Sequence, residues 1–349
     1  AFVAEFDNDR IVPLPNPVFY IETRQNEDLQ AVPYDVTTHP DFQRYLGYAD
    51  LSFGPIDAEF ASGPNYHPDP ALTGEPSQWG LWTPTDVSWN NESLWVTDLN
   101  NHRVLRFSTR IADLSETDTE IFTAEQVIGQ VDFTHTHQNR VDGRSLVNPE
   151  DIALVPSGQS AHLLTTDSGA HRVLVHTLAD RAENGAAADS ETLRGQASLY
   201  DYKFNQNTDN DNGDGFRNPM GIDVDPISNR VAVCDYSNSR IVVYDTYNSG
   251  TTPVAIIGRQ ADDELLSRPV FKDVAIHANF VFAAAGETIG NINANRILIY
   301  DLRNLTTDDG VPDTLYLPSD VLGQDFDGVS MPANNCNQDN NTGPDTVCN

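Results

Sequence analysis

The stretch Val231–Tyr244, with the sequence VAVCDYSNSRIVVY, decides the fold. Two runs of β-branched and apolar residues flank a short turn of Tyr, Ser and Asn, and Ser and Asn favour the backbone of tight turns. The pattern predicts a β-hairpin. Asp235 stands before the turn and Arg240 after it, so their side chains are expected to pair across the hairpin.

This pattern recurs along the chain. Four copies place an acid five residues before an arginine: Glu5 and Arg10, Asp98 and Arg103, Asp167 and Arg172, and Asp235 and Arg240. A fifth, looser copy runs from Phe280 to Tyr300, has Ala284 in place of the acid, and carries an insertion through residues 286–294. One hairpin is a weak signal, whereas five in register predict a repeat architecture in which these pairs are structural.

Two further patterns accompany each hairpin. A strand led by Pro84, Pro149, Pro219 or Pro269 precedes each of the last four hairpins, and a strand ending in Gly follows each hairpin, as in Val127-Ile-Gly129. Each unit therefore holds four short strands with no helical pattern between them. The sequence predicts an all-β fold, a β-propeller of four-stranded antiparallel blades. There are five recognisable repeats, and the first is expected to lack its inner strand because Ala1 begins inside a second strand.

The order of Pro-led strand, Val-Ala-Asp-x-x-Asn-x-Arg-Val-like hairpin and Val-Leu-Gly-Gln strand (Val321–Gln324) resembles the NHL-repeat β-propellers of bacterial extracellular proteins. The resemblance covers nearly the whole chain. It implies one propeller domain over residues 1–349, part of a six-bladed ring. It also implies a secreted or cell-surface protein that serves as an interaction, assembly or structural module. The histidine of the family motif survives only in His102 and His171.

The charge restricts the partners. The chain carries a net charge of −32 and only two lysines, Lys203 and Lys272. Such an acidic surface repels phosphate backbones and anionic membranes, so nucleic acid is not expected as a partner. No apolar run is long enough for membrane insertion. We expect other proteins of the cell surface or extracellular matrix as partners, or self-assembly, and a leader segment that has already been removed.

The cysteines divide into two kinds. Cys336 and Cys348 lie close together in a polar loop over residues 325–349, and the family resemblance implies a disulfide there. Cys234 lies in an apolar run and is predicted to be a buried free thiol. Three Asn-x-Ser/Thr sequons fit a secreted glycoprotein, and they begin at Asn91, Asn304 and Asn340.

Metal sites have two candidates. Asp209, Asp211 and Asp214 alternate with small polar residues as in a calcium loop, although the usual downstream Glu is absent; a polar inter-blade loop is the alternative. His135 and His137 form a His-x-His pair without an identifiable third ligand, so exposed histidines are the favoured interpretation.

No nucleophile elbow, phosphate-binding loop or dinucleotide fingerprint occurs, so a non-enzyme is favoured. The alternatives are a metal-dependent lyase or hydrolase, as among peptide-amidating lyases of NHL-like form, and a propeller that binds a sugar or lactone in its channel. Residues 54–80 form an insert rich in Pro, Gly and aromatic residues. This insert is expected either to contact a partner or to pack over a blade edge.

Overall fold

The computed structural model of the 349-residue chain describes residues 2–5, 10–13, 65, 74–89, 93–108, 124–137, 141–155, 162–178, 192–196, 215–248, 253–258, 270–289, 292–305, 313–315 and 318–322. These residues form β-strands joined by turns and short 3₁₀ turns, and none of them lies in an α-helix. Accordingly, the described residues include no helix that is long and apolar enough to span a membrane.

The strands follow the sequence pattern closely. In chain order they are β1 (Phe2–Glu5), β2 (Arg10–Pro13), β3 (Pro84–Trp89), β4 (Ser93–Asp98), β5 (Arg103–Ser108), β6 (Gln126–Ile128), β7 (Pro149–Val155), β8 (His162–Asp167), β9 (Arg172–Thr177), β10 (Thr192–Arg194), β11 (Pro219–Val224), β12 (Val231–Asp235), β13 (Arg240–Tyr244), β14 (Ala255–Ile257), β15 (Val270–His277), β16 (Phe280–Ile289), β17 (Ile292–Asp301), β18 (Asp313–Leu315) and β19 (Asp320–Leu322).

Four blades are complete in their four antiparallel strands. The second blade is β3–β6, the third β7–β10, the fourth β11–β14, and the fifth β15, β16, β17 and β19. The first repeat contributes the two-stranded sheet of β1 and β2. The predicted all-β, β-propeller fold is confirmed. The six-bladed ring stays a prediction.

The fourth blade departs from the four-strand expectation. Strand β18 lies between β17 and β19 in the chain, yet it pairs with β14 in parallel, with Ala255 opposite Asp313. The blade thereby gains a fifth strand. An outermost strand presents unpaired backbone groups, and an added strand satisfies them. No sequence pattern indicated this strand, because three residues are too few for a periodic pattern.

The chain divides into two compact units. Residues 1–140 and 181–187 form the first, which holds β1–β6, and residues 141–180 and 188–349 form the second, which holds β7–β19. The prediction of one domain over residues 1–349 stays a prediction. Of the predicted insert, Asn65 and residues 74–80 are described, and the predicted loop over 325–349 lies outside the described residues.

Each inner strand of the second to fourth blades begins with a fixed local geometry. The leading proline lies opposite the hairpin acid, as Pro219 lies opposite Asp235, and a register shift follows before Ile222. The residue before each of these prolines has a left-handed backbone: Thr83 (φ 61°), Asn148 (φ 56°) and Asn218 (φ 51°). Asn adopts this conformation at lower cost than most residues, and Thr at a higher cost. The sharp bend turns the incoming chain into the strand.

Carboxylates join successive inner strands of the second unit. Asp151 accepts hydrogen bonds from the amide of Ile152 in its own strand (2.7 Å) and from the amide of Ile222 in the next blade (2.7 Å). Asp223 repeats the arrangement with Val224 and with Ile276 of the fifth blade, at 2.8 Å each. These carboxylates satisfy edge amides that have no sheet partner on that side.

The bridging aspartate of the fourth blade, Asp223, lies two residues further along its inner strand than Asp151 does in the third blade. Close packing at Gly221 explains this difference. Gly221 stands where the third blade has Asp151, because each residue directly precedes the isoleucine at which strand pairing resumes, Ile222 or Ile152. A Cβ on Gly221 would meet the Cα of Asp273 at 2.6 Å. A side chain at residue 221 therefore does not fit, and Asp223 makes the equivalent bond to the next blade.

An aromatic residue stands four positions after the repeat arginine in three blades: Phe107, Tyr244 and Tyr300 are all buried there. The third blade has His176 at this position. The His176 side chain is buried, and among the described residues neither ring nitrogen has a hydrogen-bond partner. Burial, with a smaller contribution from the Arg172 charge, lowers the pKa of His176 to about 4.

Replacing Asp151 by Ala should lower the free energy of unfolding by about 1–3 kcal/mol, because two backbone amides lose their acceptor. Asp151→Asn keeps one acceptor oxygen and should lie between Asp151→Ala and wild type. The matched control is Asp245→Ala, since the Asp245 side chain is 64% exposed. Urea unfolding measures all three, and an equal loss in Asp151→Ala and Asp245→Ala would contradict the role of Asp151.

His176 should make the protein less stable in acid. Its folded pKa of about 4 lies below the ordinary 6.5, so the unfolded chain takes up the proton first as the pH falls. Stability is then lost between about pH 6.5 and 4, by about 3 kcal/mol in all. His176→Phe should remove this part of the pH dependence in thermal unfolding scans. An unchanged pH profile in that variant would contradict the assignment.

Candidate interaction face

The structure brings three of the predicted acid–arginine pairs together. Asp98 with Arg103, Asp167 with Arg172 and Asp235 with Arg240 each form a fully buried ion pair, with Nε 2.7 Å from Oδ2. The members of each pair lie opposite each other at the two ends of a short 3₁₀ turn. The hairpin therefore brings both side chains together through the pairing of its two strands.

The pairs also hold the chain that leads into each inner strand. Asp235 accepts a hydrogen bond from the amide of Arg217 (2.7 Å), and Arg240 donates to the carbonyl of Gly215 (2.7 Å). The other two pairs make the same contacts two and four residues before their prolines: Asp98 with Trp82, Arg103 with Gly80, Asp167 with Val147, and Arg172 with Ser145. Their hydrogen-bonding groups thus bind the backbone as well as each other, and the structural role of the pairs stays a prediction.

Burial dominates the protonation of these acids. It raises the pKa of Asp167 to about 6, although the Arg172 charge and the Val147 amide oppose the shift. Burial raises the pKa of Asp98 and of Asp235 as well, against the attraction of Arg103 and Arg240.

The first and fifth repeats differ. Backbone register places Glu5 opposite Arg10, while their side chains lie outside the described residues. In the fifth repeat the residue opposite Arg296 is Ala285, so the assignment of the acid position to Ala284 was wrong by one residue. The hairpin of β16 and β17 extends for ten residues on each side, and counting from the apolar run did not fix its register.

The histidines occupy turns. His135 Nδ1 lies 2.6 Å from Asp132 Oδ1, and its ring centroid lies 5.6 Å from that of His137. His137 is held through its backbone by both ends of the Gln130 side chain. His171 adopts a left-handed backbone, and its Nδ1 accepts a hydrogen bond from the amide of Asn218. His102 has the same backbone conformation.

The remaining predicted sites are mostly not described. Asp209, Asp211, Asp214, Cys336, Cys348, Asn91 and Asn340 lie outside the described residues. Asn304 is exposed in a 3₁₀ turn after β17. Cys234 is a buried free thiol, as predicted; burial and the charges of Asp273, Asp151 and Asp235 raise its pKa and so disfavour the thiolate form. Within the described part of the chain, no group of three or more His, Cys, Asp or Glu residues has the geometry to hold a metal ion.

Sequence reasoning missed an exposed apolar surface on the fifth blade. One face of this blade is buried, because Val274, Val281, Leu298 and Val321 pack against the fourth blade. The opposite face carries Ile297, which is 36% exposed, and Leu322, which is 48% exposed. These two residues are direct cross-strand partners between β17 and β19. Half-buried Phe282, Ala284 and Ile299 share this face, and we call these five residues the open face.

The fourth blade shows how the repeat uses this surface. Ile241 and Ile257 are its direct counterparts to Ile297 and Leu322, since they form the same cross-strand pair. Both are fully buried, in the cluster that contains Phe271 of the fifth blade. The repeat therefore covers this face with another β-sheet. An alignment of β13 with β17 on Arg240 and Arg296 would have identified Ile297 from sequence alone as the counterpart of Ile241.

Charged groups border the open face. Lys272 and Asp273 are exposed on inner strand β15, and Asp320 is exposed on outer strand β19. The Asp320 carboxylate accepts a hydrogen bond from the amide of Val321 (2.8 Å). His277 ends β15, and its Nδ1 lies 3.9 Å from Asp225. The face thus has an apolar centre, with Lys272 and Asp273 on one edge strand and Asp320 on the other.

Comparison with known proteins gave only distant structural likenesses. No family model matches the chain, and no curated protein matches it. Among solved structures, it is similar to Kuenenia stuttgartiensis hydrazine synthase, with 15% identity and a TM-score of 0.39. It is also similar to a 6-phosphogluconolactonase-type protein of Bacteroides uniformis (12%, 0.39) and to the periplasmic gluconolactonase of Pseudomonas aeruginosa (15%, 0.39).

Each match covers only part of this chain and only part of the solved chain. They cover 68%, 65% and 63% of this chain, and 50%, 56% and 53% of the respective solved chains. The chain thus spans about half the length of these proteins. At this identity and TM-score they carry no argument about activity, and the assignment of the fold rests on the strand registers described above.

Removing one member of a buried pair should be severely destabilising. Arg240→Met leaves the buried Asp235 without its cation, and we expect a loss of about 3–5 kcal/mol in the free energy of unfolding. The double variant Asp235→Asn with Arg240→Met should recover part of this loss. Arg230→Met is the control, because its pair with the exposed Asp245 has an N–O distance of 3.6 Å and should be worth under about 1 kcal/mol. Equal losses in Arg240→Met and Arg230→Met in chemical unfolding would refute the structural role.

Proposed function

We propose that the chain is a secreted or cell-surface β-propeller of NHL-repeat type that serves as a protein-interaction and assembly module, and that the open face of the fifth blade is its binding surface. The observation that carries the proposal is the exposure of Ile297 and Leu322, a cross-strand pair whose counterparts in the fourth blade are fully buried. Exposed apolar side chains that are contiguous on a sheet are typical of interaction sites.

The geometry of the open face favours a protein partner. A sheet face with β-branched and aromatic side chains offers a broad, nearly flat apolar area, whereas small-molecule sites are concave. Charged residues at its edges, Lys272 and Asp320, supply the polar rim that protein interfaces have around an apolar centre. A partner that presents another sheet would reproduce the contact between the fourth and fifth blades.

The composition of the chain supports the proposal that the protein is located outside the cell. A net charge of −32 keeps an exposed chain soluble despite an apolar face. The disulfide between Cys336 and Cys348, the calcium loop at Asp209, Asp211 and Asp214, and glycans at Asn304 and the other two sequons belong to the same proposal. A metal-dependent or lactone-binding activity in a channel stays an untested alternative.

A photo-crosslinker tests the proposed surface. Benzoylphenylalanine at position 322 of the full chain should give a crosslinked adduct when the protein is irradiated with the surface proteins of its source. The same amino acid at position 227 is the control, because Ile227 is 68% exposed but lies on a different part of the second unit.

The decisive readout is specificity. The adduct at position 322 should disappear when Ile297→Glu is added, since the charge disrupts the same face, and no adduct should form from position 227. Peptide mass spectrometry identifies the crosslinked strand of the partner. Equal adducts at positions 322 and 227, or adducts that survive Ile297→Glu, would refute the proposed surface.

A further inference from the structure

We infer that His135 and His137 form a binding site for a divalent transition-metal ion, with Cu²⁺ as the preferred ion, and that Asp132 positions His135 as a ligand. The site lies in the loop that follows strand β6 of the second blade. The inference goes beyond the proposed function and does not rest on the open face. It follows from the distance between two imidazole rings, from the hydrogen bond behind one of them, and from the contacts that fix the loop.

The two imidazoles lie at the spacing of ligands on one ion. Their ring centroids are 5.6 Å apart, and the ring planes meet at 74°. Two imidazoles that share an ion, with each nitrogen about 2.0–2.1 Å from it, have centroids roughly 4.5–6 Å apart. Imidazole suits Cu²⁺, Ni²⁺ and Zn²⁺, and Cu²⁺ is bound most tightly of the three. Two histidines therefore supply two protein ligands, and water completes the coordination of the ion.

Asp132 provides a second feature that is typical of metal-binding histidines. Its Oδ1 lies 2.6 Å from His135 Nδ1. Histidines that bind metals commonly donate one ring N–H to a carboxylate, which fixes the tautomer and leaves the other nitrogen for the ion. This contact presents Nε2 of His135 as the ligand atom. The carboxylate is itself held in place, because the same Oδ1 accepts hydrogen bonds from the amide and the hydroxyl of Thr134, at 2.8 Å each.

Buried groups fix the backbone of the loop. Arg103 Nη1 donates to the carbonyl of Phe133 (2.7 Å), and the Phe133 ring packs against the apolar core of the second blade. Gln130 binds both backbone groups of His137: its Oε1 accepts from the amide (3.1 Å), and its Nε2 donates to the carbonyl (3.3 Å). The same Nε2 donates to the carbonyl of His102 (3.0 Å). A loop that is already held in one conformation loses little entropy when it binds a ligand.

The repeat does not require histidine at these positions. In the third blade Gln196 makes the same kind of contact, since its Nε2 donates to two carbonyls of the preceding hairpin turn. Five and seven residues after Gln196 the chain has Asp201 and Lys203, where the second blade has its two histidines. The anchoring glutamine thus belongs to the repeat, whereas the histidine pair is an addition to it.

A Cu²⁺ titration of the full chain, prepared without a histidine tag, tests the inference. Excess Mg²⁺ is present, because it occupies carboxylate sites and leaves imidazole sites open. We expect a bound Cu²⁺ ion whose electron spin-echo envelope modulation shows two coordinated imidazoles. His135→Gln and His137→Gln should each lose this two-imidazole signal. His277→Gln is the matched control and should keep the signal, because the His277 side chain is 65% exposed and belongs to the second unit.

Asp132→Asn tests the positioning role. The variant keeps an acceptor oxygen for the Thr134 amide but loses the carboxylate behind His135, so the Cu²⁺ affinity should fall about tenfold or more while the two-imidazole signal remains. Glu125→Gln removes the same charge from an exposed site of the first unit and should leave the affinity nearly unchanged. Circular dichroism shows that each variant is folded.

Two results would contradict this account. Cu²⁺ that is bound without imidazole, or a two-imidazole signal that survives either histidine variant, would overturn the metal site. Equal losses of affinity in Asp132→Asn and Glu125→Gln would overturn the positioning role of Asp132. Neither result bears on the crosslinking test of the open face, so the two proposals stand or fall separately.

Discussion

The structure depends on one constraint, which is that short strands leave many backbone amides without a partner in the sheet. Aspartate carboxylates satisfy these amides at two levels. Within a blade, Asp235 binds the chain that leads into the inner strand, and Arg240 neutralises its charge. Between blades, Asp151 and Asp223 bind edge amides of the next blade. These hydrogen bonds fix the relative positions of the strands, and the apolar faces of the blades pack in that arrangement.

This constraint explains part of the acidic composition, because some of the aspartates accept hydrogen bonds from backbone amides. Asp225 shows the principle in a loop: burial raises its pKa, but hydrogen bonds from Ser228, Ala278 and Ile227 outweigh burial and hold it below the ordinary value. Asp223 shows the opposite balance, because burial and the neighbouring charges of Asp273 and Asp225 raise its pKa despite its two amide donors. The direction of each pKa shift thus depends on the balance of burial, neighbouring charges and hydrogen-bond donors.

The sequence predicted what is local and missed what is not. The hairpins and their buried ion pairs followed from five-residue spacing, since both members of a pair lie on one turn. The carboxylate bridge from Asp151 to Ile222 spans 71 residues, and no local pattern indicates it. The parallel addition of β18 to β14 was missed for the same reason. The register of Ala285 against Arg296 was missed because counting from the apolar run did not fix the register of this long hairpin. Exposure of Ile297 and Leu322 depends on which blade faces are covered, and periodicity does not show this.

Hydrogen exchange at individual amides tests the central claim most directly. The backbone N–H groups of Arg217, Ile222 and Ile276 each donate a hydrogen bond to a buried or half-buried aspartate. The account predicts that these three amides exchange as slowly as the cross-strand amides of β12 and β13, and that they open together with them. Exchange as fast as that of exposed loop amides would contradict the claim that carboxylates hold the blades together.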